Sequence, residues 1–281
     1  ILLISDNSQE ISHKKHTYFR LKYRNKQRLR EYFSYFSIIM CTFVAIKARK
    51  MKTRATYLTE QIIKRMRNDN PWWFSNAIPQ EFHEMRHRLY LDSFYQEVSN
   101  REIRRGVILM GPRRIGKTVM IYHTIEMLIE QGVSSQHIIY LSIDTPIYNN
   151  IALEELFSLA KEALNNENAK DDYFVFYDEI QYLKDWEVHL KSLIDTYRNV
   201  KFIASGSAAA ALKMKSNESG AGRFTDFMLP PLTFNEYIHL LDLNSIITKK
   251  PKETDDPLNR YLDTLDIGML NRHFIDYINY G

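Results

Sequence analysis

The stretch that decides the fold is Gly111-Pro112-Arg113-Arg114-Ile115-Gly116-Lys117-Thr118, which an apolar run precedes and a helical pattern follows. Its spacing is G-x-x-x-x-G-K-[ST], the P-loop pattern, in which a strand and a helix flank a glycine turn. Glycines let the backbone curl so that successive N–H groups point inward, and the helix N-terminus adds a positive partial charge. Such a loop is complementary to phosphate. We therefore predict a nucleotide site at this junction.

The P-loop residues take different parts in the predicted site. We expect Lys117 to reach the β- and γ-phosphates and the Thr118 hydroxyl to ligate Mg²⁺. The side chains of Arg113 and Arg114 either contact the nucleotide or cap the loop. The predicted nucleotide-binding residues are Gly111, Pro112, Arg113, Arg114, Ile115, Gly116, Lys117, Thr118 and Val119.

An acidic doublet supplies the second half of the predicted site. Asp178 and Glu179 follow the apolar run Tyr173-Phe174-Val175-Phe176-Tyr177, about sixty residues after the P-loop. A carboxylate at the end of that strand would hold the Mg²⁺ shell, directly or through water, and this is the role predicted for Asp178. Glu179 is the predicted general base, which polarises the water that attacks the γ-phosphate.

Strands and helices alternate along most of the chain. Apolar runs predict strands at 106–110, 138–143, 173–177, 201–204 and 227–229, and helical spacing separates most of them. Regular alternation predicts an α/β fold, a P-loop NTPase parallel sheet flanked by helices. The Asp-Glu doublet is typical of the additional-strand class, in which the strand 201–204 lies between the two motif strands. The predicted strand order is 5-1-4-3-2, with ligand at the carboxyl ends.

Three further residues are candidates for the site. Ser205 and Ser207 follow the inserted strand, where one of them would act as a polar sensor of the γ-phosphate or of the attacking water. The alternative is a plain strand-to-helix turn with an N-cap. Arg223 lies in a glycine-rich stretch and is either an arginine finger, in cis or towards a neighbouring subunit, or a surface charge.

The charge distribution suggests four segments. Residues 1–50 carry 11 Lys or Arg against 3 acidic residues, whereas residues 51–281 carry 27 against 31. We interpret 1–50 as a basic extension that is not part of the native protein, with a nucleic-acid-binding arm and a membrane anchor as alternatives. Its uncharged run 32–46 is shorter than the ~20 residues that a spanning helix needs. A helical lead-in (51–105), the P-loop domain (106–240) and the helical start of a truncated C-terminal region (241–281) follow.

The lead-in offers four predictions. Leu58, Ile62, Ile63 and Met66 predict a helix from Thr56 to Arg67, and Pro79 begins a second helix with Phe82, Met85 and Leu89 on its inner face. The cluster Trp72-Trp73-Phe74 either packs the lead-in against the main domain or stacks on a nucleotide. Arg101, Arg104 and Arg105 form a solvated linker, or approach phosphate.

Composition limits the class of protein. A hydrophobic content of 44% with 26% charged residues is typical of a globular chain. Cys41 is the only cysteine, so no intrachain disulfide forms and a cytoplasmic location is expected. Because the basic excess lies in residues 1–50, nucleic-acid binding does not follow from the pI of 8.9.

Taken together, these motifs resemble a known family. Gly-Pro-Arg-Arg-Ile-Gly-Lys-Thr (111–118), Asp-Glu-Ile-Gln (178–181) followed by Trp186, Ala-Ser-Gly-Ser (204–207), Gly-Arg (222–223) and Leu-Pro-Pro-Leu-Thr-Phe-Asn-Glu-Tyr (229–237) come in the order seen in prokaryotic AAA-like ATP-binding proteins of AAA domain family 14. The resemblance covers about residues 88–281. It implies a core that binds and hydrolyses ATP with Mg²⁺, through Lys117, Thr118, Asp178 and Glu179. Such proteins usually continue into a further C-terminal domain, so the effector half is expected to lie outside this chain.

Three functions compete at this point. The first is an ATPase whose hydrolysis switches attached domains or partners. The second is a catalytically slow, nucleotide-dependent module that binds DNA or protein. The third is a nucleotide kinase, which the absence of an arginine-rich lid after Pro112 disfavours. Adenine is favoured over guanine because no Asn-Lys-x-Asp motif occurs. The expected partners are ATP and a second copy or another protein. DNA has no specific support, and no membrane is expected.

Overall fold

The computed structural model describes residues 47, 56–164, 172–207, 222–249, 262–264 and 266–280. The chain divides into two compact units, residues 1–60 and 61–281. In the first unit only residues 47 and 56–60 are described, and they are helical. The basic extension and its uncharged run 32–46 therefore lie outside the described residues, apart from Lys47. The second unit holds the sheet and the P-loop.

A five-stranded parallel sheet forms the centre of the second unit. Its strands are β1 (Gly106–Met110), β2 (Ile138–Ser142), β3 (Phe174–Asp178), β4 (Lys201–Gly206) and β5 (Phe224–Met228). The spatial order is β2-β3-β4-β1-β5, with every pair parallel. This is the predicted order 5-1-4-3-2 counted from the other border. The predicted P-loop NTPase sheet, including the inserted strand, is confirmed.

The burial of the first four strands explains why they could be predicted from the sequence. Nearly every residue of β1, β2, β3 and β4 is buried, because helices cover both faces of a parallel sheet. Continuous apolar runs are the sequence pattern that such strands require. β5 is a border strand, and its residues are half-buried or exposed.

Nine helices occur among the residues that the structure describes. They are α1 (56–69), α2 (Trp72–Ser75), α3 (Gln80–His83), α4 (Leu91–Ser99), α5 (Lys117–Glu130), α6 (Leu153–Ala163), α7 (Trp186–Thr196), α8 (Phe234–Leu240) and α9 (Ile267–Tyr280). Four short 3₁₀ turns, at 135–137, 146–148, 180–182 and 244–246, complete them. In the described part of the chain, every helix is too short or too polar to cross a bilayer.

The two tryptophans of the lead-in are structural. The indole N–H groups of Trp72 and Trp73 both donate to the carbonyl oxygen of Ile138, at 2.9 and 2.7 Å. Both side chains are buried, whereas Phe74 is 72% exposed. The packing interpretation is therefore correct for Trp72 and Trp73, and the nucleotide-stacking interpretation is wrong for them.

The helix predicted after Pro79 is wrong over most of its length. Only Gln80–His83 is helical, and Met85 and Leu89 are 45% and 47% exposed. After the turn the chain leaves the helical path, and Arg88 is the side chain that enters the interior, with 7% exposure. The periodicity predicted that Met85 and Leu89 face the interior, whereas the charged side chain of Arg88 lies there instead.

The C-terminal part of the unit is only partly helical. α8 is followed by two short antiparallel strands, β6 (Ile247–Lys249) and β7 (Leu262–Thr264), and then by α9. The ring of Phe234 in α8 packs edge-on against that of Phe274 in α9, with 5.0 Å between ring centroids. The region 241–281, predicted to be helical, is thus helical at 267–280 but contains two short strands before that helix.

Candidate nucleotide-binding and catalytic site

The predicted site residues converge at the carboxyl edge of the sheet. The P-loop leaves the end of β1, Asp178 ends β3, and Ser205 lies near the end of β4. β4 is hydrogen-bonded to both β1 and β3, and its Ser205 pairs with Leu109. The inserted strand therefore brings its serine between the P-loop strand and the strand of the acidic doublet.

The P-loop needs its two glycines for different reasons. Gly116 has a φ of 88°, a left-handed conformation that glycine adopts without a steric penalty. Gly111 lies against another backbone segment, because a Cβ added there would come 2.6 Å from the carbonyl oxygen of Leu229. Arg114 is also left-handed, at a φ of 66°. The loop thus adopts the tight curl that the glycine spacing predicted.

Lys117 is held over the P-loop backbone. Its side chain is 4% exposed, and its ammonium donates to the carbonyl oxygens of Gly111 and Pro112, at 3.2 and 2.9 Å. Lys117 is also the first residue of α5, whose preceding N-terminal turn is the P-loop itself. The positive charge and the helix terminus therefore act on the same space, which favours an anion there.

Asp178 is the most heavily hydrogen-bonded group of the site. Its Oδ2 accepts from the Thr118 hydroxyl at 2.8 Å and from the Tyr140 hydroxyl at 2.9 Å. Its Oδ1 accepts from the Ser205 hydroxyl and from the Glu179 backbone N–H. Asp178 is 1% exposed, and a buried carboxylate requires such donors.

Tyr140 takes part in this network, although no sequence pattern indicated it. Burial, and next the negative charge of Asp178, raise the pKa of the Tyr140 hydroxyl well above its ordinary value of 10.0. The hydroxyl therefore stays protonated and remains a donor to Asp178. It comes from the middle of β2, thirty-eight residues before its partner, and no local spacing could have indicated the pairing.

The donor set fits Mg²⁺. The Thr118 hydroxyl and the Asp178 carboxylate offer hard oxygen donors from two elements, and they are in contact. In the described ranges, no group of three His, Cys, Asp or Glu residues is arranged to hold a metal ion. Mg²⁺ characteristically takes one or two protein oxygens and completes its shell with water and phosphate oxygens.

Glu179 lies beside Asp178 with a left-handed backbone, at a φ of 53°. Its carboxylate accepts a hydrogen bond from the side-chain amide of Gln181, and its backbone N–H donates to the Ser205 hydroxyl at 3.1 Å. The Gln181 side-chain oxygen in turn accepts the backbone N–H of Ser207, at 3.1 Å. Gln181 was not predicted as a site residue, although Asp-Glu-Ile-Gln contains it.

The two candidate serines differ in how they meet the site. The Ser205 hydroxyl is buried and contacts both Asp178 and the Glu179 backbone. Ser207 reaches Gln181 through its backbone N–H. Of the remaining P-loop candidates, Pro112, Arg113 and Arg114 are exposed, whereas Ile115 and Val119 are half-buried.

Arg223 does not join the site. It precedes β5, and its carbonyl oxygen accepts the N–H of Gly106, the first residue of β1. Four strand residues, about 13 Å at 3.3 Å per residue, separate that position from the P-loop end of β1. Its guanidinium instead pairs with Asp195 at 2.7 Å. A finger acting in cis is therefore wrong, and a role towards a second copy stays a prediction.

The three arginines before β1 also lie at this opposite edge. They border a cavity of about 350 Å³, lined by Arg101, Ile103, Arg104, Arg105, Asp172, Ile194, Tyr197, Arg198, Asn199, Val200, Lys201 and Phe202. Arg101 pairs with Asp172 and lies 4.1 Å from the centroid of the Phe174 ring. This placement excludes the interpretation that these three arginines approach a phosphate bound at the P-loop.

The sequence has relatives over the same region. Residues 103–238 match the sequence model of an AAA domain, family 14. An uncharacterized protein of Methanocaldococcus jannaschii is 33% identical over 137 residues, which are 48% of this chain and 28% of that protein. An uncharacterized protein of Haemophilus influenzae is 27% identical over 139 residues, 49% of this chain and 34% of that protein. The chain thus spans about a third or less of these relatives.

A solved structure also resembles the fold. A chain of the S. cerevisiae Hsp104–ADP complex matches with a TM-score of 0.41 and 19% sequence identity, over 55% of this chain and 23% of that one. The family match is shorter than the 88–281 that the motifs suggested. It begins just before β1 and ends in α8, and so contains the P-loop, the acidic doublet and the inserted strand. Residues 103–238, which match the AAA domain model, form an AAA-like P-loop domain of the ATPase type.

Proposed function

We propose that this domain binds ATP together with Mg²⁺ and hydrolyses it, and that hydrolysis switches the conformation of attached segments or of a partner. One observation carries the proposal. The Thr118 hydroxyl in the first turn of α5 and the Asp178 carboxylate at the end of β3, sixty residues apart in sequence, lie 2.8 Å from one another. A chance glycine turn gives no reason for a buried carboxylate at that place.

Each side chain has a defined task in the proposed reaction. Lys117 and the P-loop N–H groups bind the β- and γ-phosphates, and Thr118 with Asp178 would hold Mg²⁺, which neutralises charge that develops on the phosphates. Glu179 accepts a proton from the attacking water. The water oxygen bonds to the γ-phosphorus while the bridging bond to ADP breaks, so that ADP and inorganic phosphate leave. Ser205 orients Asp178 and the Glu179 backbone.

The test is ATP turnover by the purified full chain. We expect Lys117→Ala to lose ATP binding, and Glu179→Gln to keep ATP but lose about 10²-fold or more of its turnover, the usual effect of removing a general base. Lys64→Ala and Glu162→Gln, both exposed and remote from the site, are the matched controls. Omission of Mg²⁺ should abolish turnover by the wild type. Equal turnover by Glu179→Gln and the wild type would refute the assignment.

A slow nucleotide-dependent binding module is the second candidate, and Gln181 favours it. The Gln181 amide donates to the carboxylate that must act as the base, and so stabilises its negative charge and fixes its direction. A module of this kind would bind ATP with turnover near background, and Glu179→Gln would then change nothing. Measuring both variants with and without DNA also tests whether DNA is the partner. We also propose, as a separate point, that Arg223 acts as an arginine finger towards the site of a neighbouring copy.

A further inference from the structure

Arg88 is a buried charge with an unusually complete set of partners. Its Nε and Nη2 donate to the two carboxylate oxygens of Glu236, at 2.7 and 2.9 Å. Its Nη1 donates to the carbonyl oxygen of Ile115 in the P-loop at 2.5 Å, and Nη2 also donates to that of Pro230 at 3.2 Å. The Arg88 and Glu236 side chains are 7% and 1% exposed.

Only a guanidinium suits this position. Arginine presents N–H groups in a planar fork, so one face can bind a carboxylate through two bonds while the other end reaches a carbonyl. A lysine ammonium is a point charge and cannot keep all of these contacts from one stem. A buried ion pair stabilises little by itself, because desolvation offsets the attraction. Its placement against the P-loop therefore calls for a further explanation.

Glu236 forgoes a local role to make this pair. The Thr233 hydroxyl accepts the backbone N–H of Glu236 at 3.3 Å, as the N-cap of α8. In the capping box S/T-x-x-E, the glutamate carboxylate turns back to the N-cap N–H. Here the carboxylate accepts from Arg88 and from the backbone N–H of Leu89 instead. The first turn of α8 is thus fixed to the P-loop through Arg88.

The segment 229–236, which we call the brace, is linked to the P-loop at two points, directly at its start and through Arg88 at its end. At its start, the Leu229 carbonyl faces Gly111 so closely that a Cβ would come within 2.6 Å, and the Leu229 N–H donates to Met110. At its end, Glu236 holds Arg88 against Ile115. Both the first and the fifth residue of the P-loop are therefore held by the same short segment.

Helix α9 packs directly on the brace. The Tyr277 hydroxyl donates to the Leu232 carbonyl at 2.7 Å, and the rings of Tyr277 and Phe234 lie 5.5 Å apart. A continuous set of contacts then runs from Ile115 through Arg88, Glu236 and the brace to α9. Contacts alone do not show that the two sites are coupled. Coupling requires that nucleotide binding at the P-loop alters α9, which experiment can decide.

We propose that Arg88 is a positioning residue for the P-loop and that the Arg88–Glu236 pair couples nucleotide binding to α9. The proposal rests on the proposed ATP function of the same site. A phosphate that draws Lys117 from the carbonyls of Gly111 and Pro112 acts on the loop that Arg88 holds. The brace then passes that change to the C-terminal helix, which is the output of the switch.

The decisive comparison is Arg88→Lys with Arg86→Lys. Arg86 pairs with Asp242 at 2.7 Å, so it also joins the lead-in to the end of α8, but both side chains are largely exposed. We expect Arg88→Lys to raise the KM for ATP about tenfold, and to remove the change in α9 hydrogen exchange that a non-hydrolysable ATP analogue produces in the wild type. Arg86→Lys should leave both quantities within twofold of the wild type.

A second variant keeps the test valid if Arg88→Lys fails to fold. Tyr277→Phe removes one hydrogen bond between α9 and the brace, at a half-buried position outside the predicted nucleotide-binding residues. Because coupling between two sites is reciprocal, Tyr277→Phe should also weaken ATP binding, several-fold. Unchanged ATP affinity in Tyr277→Phe, or equal effects of the two arginine variants, overturns the coupling. A wild type that does not bind ATP refutes the proposed function instead.

Discussion

Four donors surround one carboxylate at the centre of the candidate site. Thr118 and Tyr140 share one oxygen of Asp178, and Ser205 and the Glu179 N–H share the other. Partners of this kind orient a metal-ligating carboxylate and affect metal affinity nearly as much as the ligand itself. The hydroxyls of Tyr140 and Ser205 are therefore part of the candidate metal site, although neither is placed as a ligand.

The contact between Gln181 and Glu179 leads to a prediction about basal turnover. Gln181→Ala removes the amide that holds the Glu179 carboxylate, so the carboxylate gains freedom to meet the attacking water. We expect turnover without a partner to rise several-fold, with ATP affinity unchanged. Steady-state phosphate release and ATP titration measure the two quantities. Glu162→Gln again serves as the surface control, and a fall in turnover would show that Gln181 helps to place the base.

At the scale of single residues, the sequence predicted those that a short motif contains. Lys117, Thr118 and Asp178 were found because fixed spacing after an apolar strand is visible in one dimension. Arg88 and Tyr140 were missed because their partners lie 148 and 38 residues away. For Arg223 the sequence left a finger in cis, a finger towards a second copy and a surface charge all open, since a glycine-rich neighbourhood does not indicate which end of a strand it adjoins.

The junction between β1 and β5 illustrates how elements constrain the P-loop. Gly111 leaves no room for a side chain, because the Leu229 carbonyl after β5 occupies that space. Gly111→Ala should lower the free energy of unfolding by about 1–3 kcal/mol, the usual cost of overpacking, and should weaken ATP binding as the loop shifts. Chemical denaturation and ATP titration measure the two effects.

A glycine in α9 provides the matched control. A Cβ at Gly268 meets only a side-chain atom, the Asp266 carboxylate at 3.3 Å. Gly268→Ala should therefore leave ATP affinity unchanged, with a change in the free energy of unfolding of no more than about 1 kcal/mol. If both alanines had the same effect on ATP binding, close backbone contact at Gly111 would not be the cause.

Elements with one dominant pattern were predicted well, and mixed ones were not. The strands β1 to β4 are largely apolar runs, and their existence follows from that pattern. Their spatial order was predicted from the Asp178-Glu179 doublet, not from the apolar runs. The helix predicted after Pro79 is wrong because the periodicity predicted a buried Leu89, whereas in the structure Leu89 is exposed and Arg88 is buried. The short strands β6 and β7 have three residues each, too few for alternation to be recognised.

For the molecule as a whole, pH should act on stability through Lys201. Burial lowers the pKa of this ammonium from 10.5 to about 8, while it donates to the Asn100 carbonyl at 2.7 Å. Between these values the unfolded chain binds more protons, so the free energy of unfolding should increase with pH. The increase should end near pH 10, because burial raises the pKa of Tyr122, Tyr148 and Tyr177 above 10.0, and stability then falls as the unfolded tyrosines ionise.

Lys201→Met tests this prediction. Methionine keeps the length of the side chain and removes the charge, so the increase in unfolding free energy above about pH 8 should become smaller. Urea denaturation at several pH values between about 7.5 and 9.5 measures the slope. Lys64→Met, at an exposed position, should behave as the wild type does. A slope unaffected by Lys201→Met would assign the pH dependence to other groups.

The lead-in seals one border of the sheet. The Asn70 side chain accepts the N–H of Tyr140 at 2.6 Å and donates to its carbonyl at 2.9 Å, and so imitates the main chain of a neighbouring strand. Two indoles cover the next carbonyl of β2, that of Ile138. Unpaired border strands invite fibrillar or swapped assemblies. On the β2 side, a strand of another polypeptide could pair with the sheet only by first displacing the side chains of Asn70, Trp72 and Trp73.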